Sequence, residues 1–211
     1  MKNIKWEALH RIYKKVEELS EGFLEISEDN EEEIQQKMLE VRSKVREELD
    51  LLRARLLEEL KEREVYLVLF PIVAHFDELI QNRYLKRLHT KWPMLQMELF
   101  DVDNAGEMFF DLLDDILNKP ITEPFIYEVF YFCLSYGFLG KYADNPIKIK
   151  EYLKALKEKI IEEGILDFPF KIEEAKASLK TLASPIRYYL WSVGLGVLFF
   201  SILFFMTRYW W

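Results

Sequence analysis

The sequence predicts an all-α protein: a cytoplasmic helical domain of about seven helices, set out as two packed bundles, and one transmembrane helix at the C-terminal end. Three observations lead there. Glycine and proline are scarce, with seven of each in 211 residues, and no stretch alternates apolar and polar residues with the period of two that a half-buried strand shows. Apolar residues recur instead at spacings of three and four. Finally, residues 188–207 run without a charge between Arg187 and Arg208. As a helix this run covers roughly 30 Å, the thickness of a bilayer's hydrocarbon core. The expected layout is a helical domain over 1–163, a linker and amphipathic lead-in over 164–187, a tail anchor over 188–207 and a short periplasmic tail over 208–211.

In chain order, Leu9, Ile12, Val16, Leu19 and Phe23 make one stripe on a first helix that ends in the twenties, where Gly22 and the polar stretch Ser27-Glu-Asp-Asn30 interrupt the pattern. A long helix starts near Glu31, with Ile34, Met38, Val41, Val45, Leu49, Leu52 and Leu56 close to a heptad seam. Leu39, Leu51, Leu57 and Leu60 are expected to widen that seam into a bundle-packing face. Val65 to Ala74 is almost wholly apolar but too short to span a bilayer, so it reads as a buried central helix, kinked or started near Pro71. Residues 79–91 continue as a basic amphipathic stretch. Turn residues over 101–106 precede another helix, and Phe125 to Gly137 is an aromatic helix closed by Gly137-Phe-Leu-Gly140. Asn145-Pro146 opens a helix with Ile149, Tyr152, Leu153, Leu156 and Ile160 on one face.

The formal net charge is −8, and no basic block stands clear of acidic residues, which disfavours nucleic-acid binding. The single cysteine, Cys133, excludes an internal disulfide and suits a reducing compartment. Residues 1–7 lead straight into a charged helical pattern with no apolar signal-peptide core. Lys171, Lys176, Lys180 and Arg187 precede the apolar run, whereas only Arg208 follows it. The positive-inside bias therefore expects the domain in the cytoplasm, the anchor in the lipid bilayer and the C-terminus in the periplasm.

Chemistry-bearing residues form no reactive set. His10, His75 and His89 lie far apart, without the spacing of a zinc site. His75, at the end of the apolar helix, reads as a hydrogen-bonded core or boundary residue. Asp101-Val-Asp103-Asn-Ala-Gly106 opens like a calcium loop, but Ala105 and Leu112 occupy positions that need oxygen ligands. Asp77 and Glu78 are adjacent, so on a helix they point about 100° apart and do not face one substrate. One of them is expected to pair internally and the other to meet solvent or a partner. No catalytic residue, metal, cofactor or small-molecule substrate is expected.

The most specific pattern is a set of motifs. A buried helix ends in Phe76-Asp77-Glu78-Leu79; Trp92 and Leu95-Gln-Met-Glu-Leu-Phe100 follow, then Ala105-Gly106-Glu107-Met-Phe109-Phe110. The last is Glu128-Val-Phe-Tyr131-Phe-Cys133-Leu134-Ser-Tyr-Gly137-Phe138-Leu-Gly140-Lys141-Tyr142. With the apolar C-terminal run, these motifs resemble the DotU/TssL (IcmH-like) family of bacterial secretion-system membrane proteins over about residues 31–160. Lys141 stands where the family usually has Arg, and the tryptophan that often follows Asp-Glu is missing, with Tyr84 as its substitute.

The resemblance implies a tail-anchored inner-membrane subunit of a type VI, or alternatively a type IVB, secretion system. It implies an IcmF/TssM-like large membrane partner, a TssJ-like lipoprotein within the complex, docking of baseplate components and self-association. The periplasmic peptidoglycan-binding extension of some members is not expected here. Trp92, Gly106, Phe109, Phe110, Glu128, Tyr131, Cys133, Leu134, Gly137, Phe138, Gly140 and Tyr142 are expected to be mostly structural. Asp77, Glu78, Glu98, Asp101, Asp103 and Glu107 are the expected partner contacts, since clustered charge can steer a basic surface.

Overall fold

The structure, a computed structural model, describes residues 2–119 and 123–163. Those residues form seven α-helices and no strand. Helix α1 (Lys2–Glu21) buries Leu9, Ile12, Val16 and Leu19, and a short 3₁₀ turn (Gly22–Glu25) carries Phe23 into the core. Asn30 then caps α2 (Glu31–Leu57), its side chain accepting from the Glu33 backbone N–H at 3.3 Å. Glu31, Glu32 and Glu33 lie at the positive end of that helix. All seven seam residues of α2 are buried. The widening does not occur: Leu39, Leu51 and Leu57 are 68, 48 and 42 % exposed, and only Leu60 turns inward. α2 lies against neighbours along a narrow stripe, and its remaining faces meet solvent.

Helix α3 (Glu62–Leu79) is the hub, packing on α2, on α4 (Leu95–Phe100), on α5 (Ala105–Asn118) and on α6 (Phe125–Ser135). It begins well before Pro71, where the Glu64 carboxylate accepts from the Lys61 N–H at 3.0 Å. Pro71 therefore sits inside the helix instead of starting it. A proline there removes one helical hydrogen bond, and the surrounding packing holds the helix together: Val68, Phe70, Ile72, Val73 and Phe76 are all at most 1 % exposed. The stretch after α3 is amphipathic as expected, with Arg83, Lys86 and Arg87 exposed and Leu88 buried. Residues Ile80–Leu85 form a π-helical turn that buries Ile80, Tyr84 and Leu85. Arg87, just beyond, donates to the carbonyls of Phe23 and Ile26 at 2.9 and 2.8 Å.

Helix α7 (Pro146–Glu162) packs on α6 and α5 and buries Ile149, Tyr152, Leu156 and Ile160. α1 lies on α2, and through Trp6 and Tyr13 it also meets the aromatic face of α6 at Phe125, Phe132 and Tyr136. The buried residues form one continuous cluster from Trp6 to Ile160, so the two expected bundles share a single core. No helix among the described residues is long and apolar enough to cross a membrane. The expected linker (164–187), anchor (188–207) and tail (208–211) lie outside the described residues.

One backbone crossing fixes how α5 meets the segment after α6. At Gly140, φ is +46°, and a Cβ there would stand 2.7 Å from the Gly106 carbonyl oxygen. Left-handed strain and overpacking against backbone act together at this point. Gly140→Ala is expected to cost about 2 kcal/mol, read as a lowered urea midpoint with an unchanged slope.

Candidate functional site

The last turn of α3 carries two adjacent carboxylates, and each is bonded to a different loop. Asp77 is 1 % exposed. Its Oδ1 accepts from Trp92 Nε1 at 2.7 Å and from the Leu95 N–H at 2.9 Å, and its Oδ2 accepts from the Gln96 N–H at 2.8 Å. Leu95 and Gln96 open α4, whose N-cap residue Met94 has no side chain able to cap it. Asp77 thus supplies from another helix the acceptor and negative charge that the start of α4 needs. Burial pushes its carboxyl up to about 6, while the three donors and Arg42 pull the other way.

Glu78 points to the other side. Its two oxygens accept from the Leu139 and Gly140 N–H groups, each at 2.9 Å, where the 3₁₀ turn Gly140–Tyr142 begins. Burial raises this carboxyl too, against the same two donors. Sequence reasoning expected one of the pair to be committed internally. Both are, so neither is a free surface charge.

Glu98 is likewise engaged: Arg42 donates to it through Nε at 3.1 Å, and Arg46 of α2 pairs with it as well. Arg42 also donates to the Pro93 carbonyl at 2.9 Å. Of the expected contact residues, Asp101, Asp103 and Glu107 are exposed, on the α4–α5 connection and the first turn of α5. Asp101 takes a left-handed conformation (φ 56°) as the C-cap of α4, and Asn104 reaches Glu107 Oε2 at 3.3 Å. This connection is a helix-to-helix turn with an outward acidic edge.

The motif residues divide by environment. Trp92, Phe109, Phe110, Glu128, Cys133, Leu134 and Phe138 are buried, whereas Tyr131 and Tyr142 are half-buried. Phe109 packs on Phe130 and Phe138 with ring centroids 4.8 and 4.3 Å apart. Glu128 accepts from Trp6 Nε1, an interaction invisible in the sequence because the partner is 122 positions away. Cys133 is fully buried and donates to the Pro71 carbonyl at 3.5 Å, and burial pushes its thiol well above its usual range. Lys141, at the position of the family's arginine, pairs with Asp111 at 2.8 Å and lies over the Phe110 and Tyr142 rings. Tyr84, the expected substitute for the missing tryptophan, is buried at 1 % exposure.

His75 departs from its expected role in one respect. It is buried, stacked parallel to Tyr13 (5.9 Å, 3°) and ringed by Phe76, Phe132 and Phe138. Neither ring nitrogen finds a hydrogen-bond partner among the described residues. Burial holds its pKa down at about 4. The ring lines a crevice of about 220 Å³ shared with Glu78, Leu79, Asn82, Arg83, Tyr136, Gly137 and Leu139. No group of three or more metal-ligating side chains occurs among the described residues.

The chain matches, over residues 16–211, the family described as type VI secretion system protein DotU. A solved structure, that of DotU from Francisella novicida, superposes on it with a TM-score of 0.62 at 26 % sequence identity. The superposition covers 75 % of this chain and 99 % of the Francisella chain. No curated protein sequence matches.

Proposed function

Because the chain belongs to the DotU family of type VI secretion proteins, we propose that it is a structural docking subunit of the secretion system's membrane complex. In this reading it is anchored in the inner membrane by residues 188–207, with its helical domain in the cytoplasm. It joins an IcmF/TssM-like membrane protein, works in a complex that includes a TssJ-like lipoprotein, and presents a surface to the baseplate. The family description favours a type VI system over a type IVB one. The observation that carries the docking role is the distribution of acidic side chains. Asp77, Glu78 and Glu98 hold the domain together, while Asp101, Asp103 and Glu107 form an exposed edge on a well-packed helix pair. Exposed charge of one sign accelerates encounter with a basic partner more than it strengthens the final complex.

Two measurements test this. The protein is expected to co-purify from detergent-solubilised inner membranes with a much larger membrane protein; recovery as a free subunit from cells expressing the whole system would overturn the reading. Replacing Asp101 by Asn, Asp103 by Asn and Glu107 by Gln together is expected to slow baseplate association by about tenfold at low salt. Thermal stability should stay within about 0.5 kcal/mol of the wild type. An unchanged association rate would remove this edge from the docking surface.

A further inference from the structure

The outer face of α2 carries a pattern that the fold of one chain does not use. Leu39 and Leu57 are 68 and 42 % exposed. They stand about five helical turns apart, so they lie on one line along the helix. Between them Arg46, Asp50 and Arg53, all exposed, fall within roughly 40° of that line. Beside Leu57 opens a groove of about 220 Å³, floored by Val65, Leu69 and Phe100. A single exposed leucine needs no explanation. Two on one line, with charges of both signs between them and an apolar groove alongside, make an ordered surface.

That order is self-complementary. When a second α2 is laid antiparallel on the first, about a two-fold axis between Arg46 and Asp50, Leu39 faces the second copy's Leu57. Arg46 then faces the second copy's Asp50, and Ser43, which is small, leaves room for the second copy's Arg53. Each of these contacts occurs twice. The charges select this direction, because in a parallel pair Arg46, Asp50 and Arg53 would each meet a like charge, which is destabilising. Asp50 has no ion-pair partner among the described residues. Arg46 already lies beside Glu98, and its guanidinium has several N–H donors, so it can hold Glu98 and the second copy's Asp50 together.

We propose that the Leu39–Leu57 face of α2 is a homodimer interface, on which a second copy of this chain packs antiparallel with its Leu39 entering the groove beside Leu57. A second copy is the occupant because this one face supplies both halves of every pair, which is the property of a two-fold contact. One helix face buries less than the roughly 1,600 Å² of a standard interface, so the contact forms where copies are concentrated. The membrane anchoring proposed above meets that condition; the strength of the pairing rests on it, and the geometry does not.

The test uses the full chain carrying Cys133→Ser, reconstituted in phospholipid vesicles and treated with a mild oxidant. Leu39→Cys and Leu57→Cys chains with different tags are reconstituted together. The disulfide dimer joining the two different variants is expected to exceed either like-with-like dimer at least tenfold. In the antiparallel pair, like positions lie roughly 27 Å apart, beyond the reach of a disulfide. Asp50→Arg in both chains is expected to lower the mixed dimer at least tenfold, with the helical circular dichroism unchanged. Predominance of a like-with-like dimer would overturn the proposal, as would the absence of any dimer or a yield that Asp50→Arg leaves unaltered. The vesicles hold no other secretion component, so these results leave the docking role to the co-purification experiment.

Discussion

Asp77→Ala is expected to destabilise the protein by about 4 kcal/mol, a large share of the 5–15 kcal/mol that holds a typical domain folded. The substitution strands three buried donors at once: Trp92 Nε1 and the N–H groups of Leu95 and Gln96. Each unpaired buried donor costs about 1–3 kcal/mol, and the charge at the start of α4 goes with them. Asp77→Asn keeps an acceptor but turns an amide N–H₂ toward one backbone donor, so about half the loss remains. For a domain of this size the alanine variant should melt on the order of 10 °C lower. Asp103→Ala, at an exposed position nearby, is the control and should change little. Thermal unfolding of the full chain in detergent reads both. A loss under about 1 kcal/mol for Asp77→Ala would mean that the loop from Trp92 to Gln96 is held by its apolar contacts alone.

The second large effect concerns pH. The pKa of His75 is lowered in the folded state from 6.5 to about 4 by burial. Between those values the unfolded chain takes up a proton that the folded chain refuses, so the stability present at neutral pH is lost as pH falls through this window. The gap corresponds to about 3 kcal/mol. Asp77 acts in the opposite sense. Burial lifts its folded pKa from 3.8 to about 6, so the folded state keeps the proton longer and gains stability as pH falls across 6 to 3.8. In the wild type the two contributions largely cancel. His75→Phe removes one of them. Its stability relative to wild type is therefore expected to rise by about 3 kcal/mol from pH 7 to pH 4, measured by urea unfolding at each pH. Parallel curves for the two proteins would show that the ring is hydrated and titrates as it does in the unfolded chain.

Much of the fold was legible because helical packing writes itself into spacing. The stripes on α1, α2 and α7 are buried where periodicity places them. Periodicity could not say how wide the buried face of α2 is, since Leu39 and Leu57 look the same in sequence whether a neighbour covers them or water does. Of the two readings of Pro71, a helix start there does not hold, because the proline's cost is local and the burial of the surrounding helix outweighs it. The site was harder to read. The partners of Asp77 and Glu78 are mostly backbone N–H groups, which carry no residue identity, and so two carboxylates that look like surface charges are internal fasteners. α1 gave no motif, and residues 1–15 precede the family match. Its Trp6 and Tyr13 nevertheless help close the core over Glu128 and His75.

The adjacency of Asp77 and Glu78 has a mechanical side. The loop carrying Trp92 and the loop carrying Gly140 are tethered to consecutive residues of one helical turn. A force arriving at either loop passes directly to α3, the hub of the domain, instead of being dissipated in loop bending. Nor can one loop be drawn outward without turning the anchor point of the other. This arrangement makes two separate surface features into one lever.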